Sequence, residues 1–163
     1  MCRSMFWNQT NDAQQIDAGG SDLYLFKNPC RLGYSAYQVD NTTSCLKLST
    51  KRSTYRKARS DCQADGGHTA STKTPEKLAL LVKLAQGVYF WVGMDDRKKN
   101  KEFVWQDDGS VLTPLQTQQL FMPGEPSHLT DQDCVSVKAP ETGLNDRKCN
   151  LFMNSFCEIQ PGC

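Results

Sequence analysis

Oxygen-bearing side chains are concentrated in the stretch GEPSHLTDQDC, which spans residues 124–134 of this 163-residue chain. Three carboxylates, Glu125, Asp131 and Asp133, surround one proline, which fixes the local backbone and removes an N–H donor. Calcium is a hard cation that takes about six to eight oxygen ligands. The stretch is therefore either an ordinary polar surface turn or one wall of a calcium site, and these residues alone leave both readings open.

Composition limits the classes of protein to which the chain can belong. It carries 19 basic and 18 acidic residues, for a formal net charge of +1. This balance favours neither nucleic acid nor an acidic membrane surface as a partner. The longest apolar cluster, residues 78–85, is interrupted by Lys83 and falls short of the roughly 20 residues that span a bilayer. We expect one domain with no membrane span and no nucleic-acid partner.

The eight cysteines are the strongest clue from composition. A high and even number indicates disulfides and an oxidising compartment, so we expect a secreted, extracellular protein. Zinc is disfavoured because no Cys-x-x-Cys pair occurs and His68 and His128 lie far apart in sequence. Sequons at Asn8 and Asn41 are typical of a glycoprotein.

Sequence patterns predict the elements that must position these residues. Residues 1–29 are polar and rich in turn formers, which indicates an N-terminal extension. Two helices are predicted, one capped by Ser53 or Thr54 and ended by Gly66-Gly67, the other capped by Thr74 and ended by Gly87. Alternating or buried apolar patterns predict strands at 35–39, 44–49, 88–94, 102–106, 133–138 and 154–160. The segment 110–131 lacks periodicity and is predicted to be a long loop.

Seven motifs occur in an order that resembles the C-type lectin-like domain: YRKARSDCQADGG, FWVGM, FVWQDDGS, GEPS, DC, LNDRKC and FCE. The resemblance covers about residues 30–160 and leaves 1–29 as an extension and 161–163 as a tail. It implies an α+β fold with two helices, small antiparallel sheets and a long loop region, stapled by disulfides.

The resemblance also implies how the cysteines pair. It predicts Cys62–Cys157, Cys134–Cys149 and, as in the long form of the domain, Cys30–Cys45. Cys2 and Cys163 remain. Because the termini of the family lie close together, we favour a bond between them within one chain, and a bond between two chains is the alternative.

In sugar-binding members of the family, the loop reads Glu-Pro-Asn, usually with a cis proline. A Glu two residues before the next Cys and a Trp-Asn-Asp triplet complete the ligands. The resemblance therefore implies one calcium and sugar site built from Glu125, Ser127, Gln132, Asn145 and Asp146.

Two of these ligands depart from the family pattern. Ser127 stands where the family has Asn, and Gln132 stands where it has Glu. The site keeps two carboxylates instead of three, unless Asp131 or Asp133 turns inward as calcium support. Fewer carboxylates predict weaker calcium binding.

A second calcium site of the family would involve Asp96, Asn100, His128, Gln132 and Asp133. The segment RKKNK, residues 97–101, places four cations beside any ion there. We expect this auxiliary site, with Asp96 and Asn100 as ligands, to be weak or empty.

Two functions from different classes follow. The first is calcium-dependent, non-catalytic recognition of glycans or glycoproteins, with a mannose-type preference implied by Glu125-Pro126, as in recognition of microbial or host glycans in innate immunity. The second is a calcium-independent protein-interaction or matrix module on the same fold, which the changes at Ser127 and Gln132 favour.

An enzyme is not expected, because His68 and His128 lie in no nucleophile motif. Oligomers are compatible with either function.

Overall fold

The computed structural model describes residues 29–162. Three helices are present: α1 Tyr55–Ala64, α2 Pro75–Ala85 and α3 Pro114–Leu120. Eight strands accompany them: β1 Ser35–Val39, β2 Thr42–Leu48, β3 His68–Thr69, β4 Tyr89–Asp95, β5 Val104–Trp105, β6 Cys134–Lys138, β7 Leu144–Arg147 and β8 Asn154–Ile159. The predicted Cys2–Cys163 bond, the sequon at Asn8 and nearly all of the predicted extension lie outside the described residues.

The first two helices form as predicted, because their ends carry the expected caps. The Thr54 side chain accepts a hydrogen bond from the backbone N–H of Lys57 at the start of α1. The Thr74 side chain does the same for Lys77 at the start of α2, where Pro75 occupies the first helical position. Both helices turn one apolar face toward the core.

A third helix corrects the prediction of two helices and of an unbroken loop over 110–131. Thr113 accepts from the backbone N–H of Gln116, and the Gln116 side chain accepts from the backbone N–H of Thr113, which forms a capping box. Pro114 is pre-organised for the first turn. Only Leu120 of this seven-residue helix is buried, so the helix has no apolar stripe that periodicity could detect.

The strands run in the order β1-β2-β8-β4-β6-β7, with β3 paired to β8 and β5 paired to β4. All pairs are antiparallel except β4 with β8, which run parallel. The other six pairs agree with the expected small antiparallel sheets, and β8 joins the two groups of strands through that parallel pair, which was not predicted. Strands β3 and β7 were not predicted either.

The core lies between α2 and the sheet and includes Leu78, Leu81, Phe90, Trp105 and Phe156. Three disulfides reinforce this frame and confirm the predicted pairs Cys30–Cys45, Cys62–Cys157 and Cys134–Cys149. Among residues 29–162, no helix is long and apolar enough to cross a bilayer.

One buried ion pair ties α2 to β8. The ammonium of Lys77 pairs with Glu158 Oε1, and the two side chains are only 13% and 10% exposed. The second oxygen of Glu158 is buried and has no hydrogen-bond partner within residues 29–162. Removing one member of such a pair leaves the other charge buried without a counter-charge, whereas replacing both members by apolar groups does not.

We therefore expect Lys77→Met to lower the free energy of unfolding by about 3–5 kcal/mol, because the Glu158 carboxylate stays buried without its counter-charge. Lys77→Met combined with Glu158→Leu should recover most of this loss. Lys83→Met, at an exposed position in the last turn of the same helix, is the control and should lower stability by at most about 1 kcal/mol, the usual value of a cation near a helix C-terminus. Denaturant unfolding measures all three variants, and a double variant no more stable than Lys77→Met would contradict this account.

Candidate functional site

The loop that carries the predicted ligands is held against β7 by backbone contacts. The backbone N–H of Met122 donates to the carbonyl of Leu144 at 3.0 Å, and Phe121 forms a parallel bridge with Leu144. Gly143 permits this approach, because a Cβ at that position would lie 2.3 Å from Met122 Cγ. The segment 121–134 therefore passes beside Asn145 and Asp146.

Asp146 is the fixed point of the site. It is fully buried, and its carboxylate accepts hydrogen bonds from the backbone N–H groups of Ser127, at 2.8 Å, and His128, at 2.9 Å. The hydroxyl of Ser127 donates a third bond at 3.1 Å. An ionised carboxylate offers about four lone-pair positions. Asp146 thus orients the loop and keeps some capacity to bind a cation.

Glu125 places a second carboxylate beside Asp146. Burial raises the pKa of Glu125, and the hydrogen bond to Asp146 and its negative charge raise it further. The Glu125 Oε2 atom is buried and has no hydrogen-bond partner among the described residues. The Glu125–Pro126 peptide bond is cis, as the family resemblance implies. Two adjacent carboxylates with an unpartnered buried oxygen fit either a bound cation or a shared proton.

Ser127 and Gln132 complete the group that the structure brings together. The Ser127 hydroxyl lies 3.3 Å from Gln132 Oε1 and 3.1 Å from Asp146 Oδ2, so one O–H is shared between two acceptors. Gln132 is half-buried and presents its carbonyl oxygen toward the loop. An uncharged oxygen of this kind is a weaker calcium ligand than a carboxylate.

Three other predicted ligands lie at the margin of this group. Asp131 is exposed and forms an ion pair with Lys148 at 2.6 Å, so its carboxylate does not turn inward. Asp133 is half-buried, and its backbone carbonyl accepts from the N–H of Asp96 at 3.0 Å. Asn145 precedes Asp146 on β7 and is half-buried, and its side chain makes no hydrogen bond to Asp146.

The predicted auxiliary site is centred on Asp96, which is buried. The backbone N–H of Lys101 donates to Asp96 Oδ2 at 2.7 Å, whereas Oδ1 has no partner within residues 29–162. Burial raises the pKa of Asp96, and the charges of Asp133 and Asp146 add to this effect. Asn100 is exposed and makes no side-chain hydrogen bond to Asp96.

Across the described residues, no group of three or more His, Cys, Asp or Glu side chains is arranged to hold a metal ion. Any cation in this region would need amide, hydroxyl, backbone or solvent oxygens in addition to carboxylates. Glu125 and Asp146 are the two carboxylates that meet. The donor set therefore fits a calcium ion that has only two negatively charged ligands.

One neighbour was missed by sequence reasoning. Arg147 acts electrostatically on Glu125 and opposes the rise in its pKa. Its position next to Asp146 on β7 was the signal that could have identified it. Elsewhere, the predicted glycosylation residue Asn41 is exposed at the turn between β1 and β2.

Comparison with known proteins relates this geometry to a family. Residues 51–159 match the family described as Lectin C-type domain. Human C-type mannose receptor 2 is 29% identical over 118 residues, a match that covers 70% of this chain and 8% of the receptor. The chain therefore spans only a small part of the length of that relative.

Solved structures share the fold. The cow C-type carbohydrate-recognition domain of CD23, solved in the presence of a GlcNAc2Man3 oligosaccharide, superposes with a TM-score of 0.70 at 24% identity, covering 84% of this chain and 100% of that one. A calcium-independent type II antifreeze protein superposes with a TM-score of 0.68 at 22% identity, covering 81% and 95%. The same fold thus occurs in a calcium-independent protein.

The carboxylate pair predicts an effect that can be measured without calcium. In chelator at pH 7, Glu125→Gln should raise the melting temperature, because a neutral amide removes the repulsion from Asp146. The pKa of Glu125 is raised in the folded state, so the penalty is present above the folded-state pKa and is lost as pH falls through it. The gain should therefore shrink in acid.

Glu76→Gln, at an exposed position in the first turn of α2, is the control for that measurement. It removes a carboxylate that the helix N-terminus favours, so it should not raise the melting temperature at pH 7. A lower melting temperature for Glu125→Gln in chelator at pH 7 would show that the Glu125 carboxylate is stabilising, contrary to this account.

Proposed function

Because the chain belongs to the C-type lectin domain family, we propose that it recognises glycans in a calcium-dependent manner, with a preference for mannose-type sugars. The observation that carries the proposal is the unpartnered, buried Oε2 of Glu125 beside the carboxylate of Asp146. Two carboxylates in contact, one of them fully buried, repel each other unless a positive charge or a proton lies between them. A divalent cation bound there would remove that cost.

The residues that would hold calcium are Glu125 and Asp146, with the carbonyl oxygen of Gln132 next to them. Asn145 belongs to the proposed set through its place in the family motif, and Ser127 contributes a hydroxyl at the rim. Asp131 is left out, because it pairs with Lys148. When bound, calcium would supply a positive centre at which two neighbouring sugar hydroxyls can be held. Asp96 and Asn100 remain a weak auxiliary site in this proposal.

The protein's own residues would orient the sugar. A carboxylate can only accept hydrogen bonds, so Glu125 would accept from a sugar hydroxyl, and the amide of Asn145 would donate to one. In the family, Glu in this position accompanies sugars with equatorial 3- and 4-hydroxyls, such as mannose. The hydroxyl of Ser127 already bonds to Asp146 and Gln132, so it is poorly placed to replace the amide donor of the family's Asn.

Weak single-site affinity follows from this chemistry. With two carboxylates in place of three, calcium binds less tightly, and the missing donor at Ser127 leaves a sugar hydroxyl unpaired, at a cost of about 1–3 kcal/mol if that group is buried. Useful recognition would then need several copies of the domain and multivalent ligands. We place the protein outside the cell, as a secreted, non-catalytic lectin that meets microbial or host glycans.

A second function is favoured by one specific observation. The hydrogen bonds from Ser127 and His128 to Asp146 hold the loop together within the chain itself. A loop closed in this way could present a protein-binding surface without calcium. The similarity of fold to a calcium-independent antifreeze protein is compatible with that alternative.

Thermal unfolding with and without calcium tests the proposed metal site. We expect calcium to raise the melting temperature of the wild type, because a ligand that binds only the folded state stabilises it by mass action. Glu125→Ala should abolish that rise. Asp131→Asn, a matched change to an exposed acid of the same loop, should keep it. Identical melting of the wild type in calcium and in chelator would exclude the metal site.

A restored variant tests the sugar preference. Ser127→Asn combined with Gln132→Glu supplies the missing donor and the third carboxylate, so both calcium and mannose should bind more tightly, by about tenfold for each 1.4 kcal/mol gained. A glycan array compares the restored variant with the wild type. Galactosides ranked above mannosides would overturn the assigned preference, and no binding by either protein would favour the protein-interaction module.

A further inference from the structure

An open groove lies between the end of β2, helix α1 and the segment before β8. Its cavity of about 810 Å³ is lined by residues 47–53, by one side of α1 and by Phe152. Beyond Phe152 it continues into a second cavity of about 650 Å³, which Val88, Tyr89 and Leu151 also line. We call the two cavities together the Phe152 groove. It contains none of the proposed calcium ligands.

Large apolar side chains are exposed along the Phe152 groove. Phe152 is 65% exposed, Tyr89 41%, Leu151 40% and Val88 36%. These four are half of the eight large apolar side chains that are exposed within residues 29–162. Exposed apolar side chains that line one groove together make that groove a candidate contact site.

The groove is also basic. Lys47 pairs with Asp65 and Lys57 pairs with Asp61, so these two cations are neutralised. Lys51 and Arg52 are exposed, and neither forms an ion pair within the described part of the chain. Four cations against two carboxylates leave a charge of +2 in the groove, next to Phe152. A matching ligand carries apolar side chains and negative charge.

We propose that residues 22–26 of this chain, Asp-Leu-Tyr-Leu-Phe, dock in the Phe152 groove. Four consecutive apolar residues, Leu23 to Phe26, follow Asp22. Residues 8–26 contain three aspartates and no Lys or Arg. The apolar run matches the exposed surface around Phe152, and Asp22 matches the unpaired charges of Lys51 and Arg52.

The position of the described N-terminus supports this assignment. The carbonyl of Pro29 accepts from the N–H of Gly162, and Arg31 lies 3.6 Å from Asp65, which lines one end of the groove. From Pro29 back to Asp22 is seven residues, which span up to about 23–25 Å when extended. From Lys47 to Arg52 is at most about 17 Å, the length that five residues span at strand spacing. Seven extended residues are therefore long enough to follow this side of the groove.

A segment of the same chain has an advantage over a separate partner. Its short connection to Pro29 keeps it at an effective concentration in the millimolar range, so modest contacts suffice to hold it. Docking would cover the apolar surface around Phe152 and would involve neither Glu125 nor Asp146.

Photo-crosslinking of the full chain tests the proposal. We expect p-benzoylphenylalanine in place of Phe152 to capture a peptide containing residues 22–26 of the same molecule, identified by mass spectrometry after digestion. The same probe in place of Leu115, which is 61% exposed on α3 outside the groove, is the control and should not capture that peptide. Capture of another segment, capture only between chains, or no capture would overturn the proposal.

Charge reversal gives a second test, because a folding defect would not produce a loss of crosslink yield that a second charge reversal restores. With the probe at position 152, Asp22→Lys should lower the yield of the crosslink by about two- to fivefold, as expected for an exposed ion pair. Adding Arg52→Glu to Asp22→Lys should restore it, whereas Asp12→Lys should have little effect. An unchanged yield in Asp22→Lys, or no recovery in the double variant, would contradict the charge match.

Discussion

The carboxylate of Asp146 is the constraint on which the candidate site depends. Strand β7 buries it completely, and a buried charge is costly unless hydrogen bonds compensate it. The backbone N–H groups of Ser127 and His128 provide that compensation, so the loop before β6 is fixed to the sheet at this point. Glu125 is brought against Asp146 by the same arrangement, and its unpartnered oxygen is the consequence.

The two proposed functions therefore differ in how the charge of this carboxylate pair is balanced. If calcium binds, Glu125 and Asp146 share a cation and the site can hold sugar hydroxyls. If a proton balances the charge, the loop remains closed by the bonds from Ser127, and the surface is left for a protein partner. The changes at Ser127 and Gln132 reduce the charge and the hydrogen-bond donors of the site. The free energy of calcium binding then determines whether calcium or a proton balances the carboxylate pair.

The features that could be predicted from the sequence are those determined by local chemistry or implied by the family motifs. Helices α1 and α2 followed from the caps at Thr54 and Thr74, and the three described disulfides followed from the family resemblance. Helix α3 was missed although Thr113 and Pro114 signalled its start, because it is too short to show periodicity. The parallel pairing of β4 with β8 and the unpartnered oxygen of Glu125 depend on contacts between distant segments, which local patterns do not encode.

Calorimetric titration of calcium, with and without saturating mannose, tests the central claim most directly. The account predicts one weak calcium site whose affinity rises in mannose by the same factor by which calcium strengthens mannose binding, because coupling between two ligands is reciprocal. Galactose should give a smaller factor. Calcium binding that is unaffected by either sugar, or no calcium binding at all, would contradict the claim that Glu125 and Asp146 form a calcium-dependent sugar site.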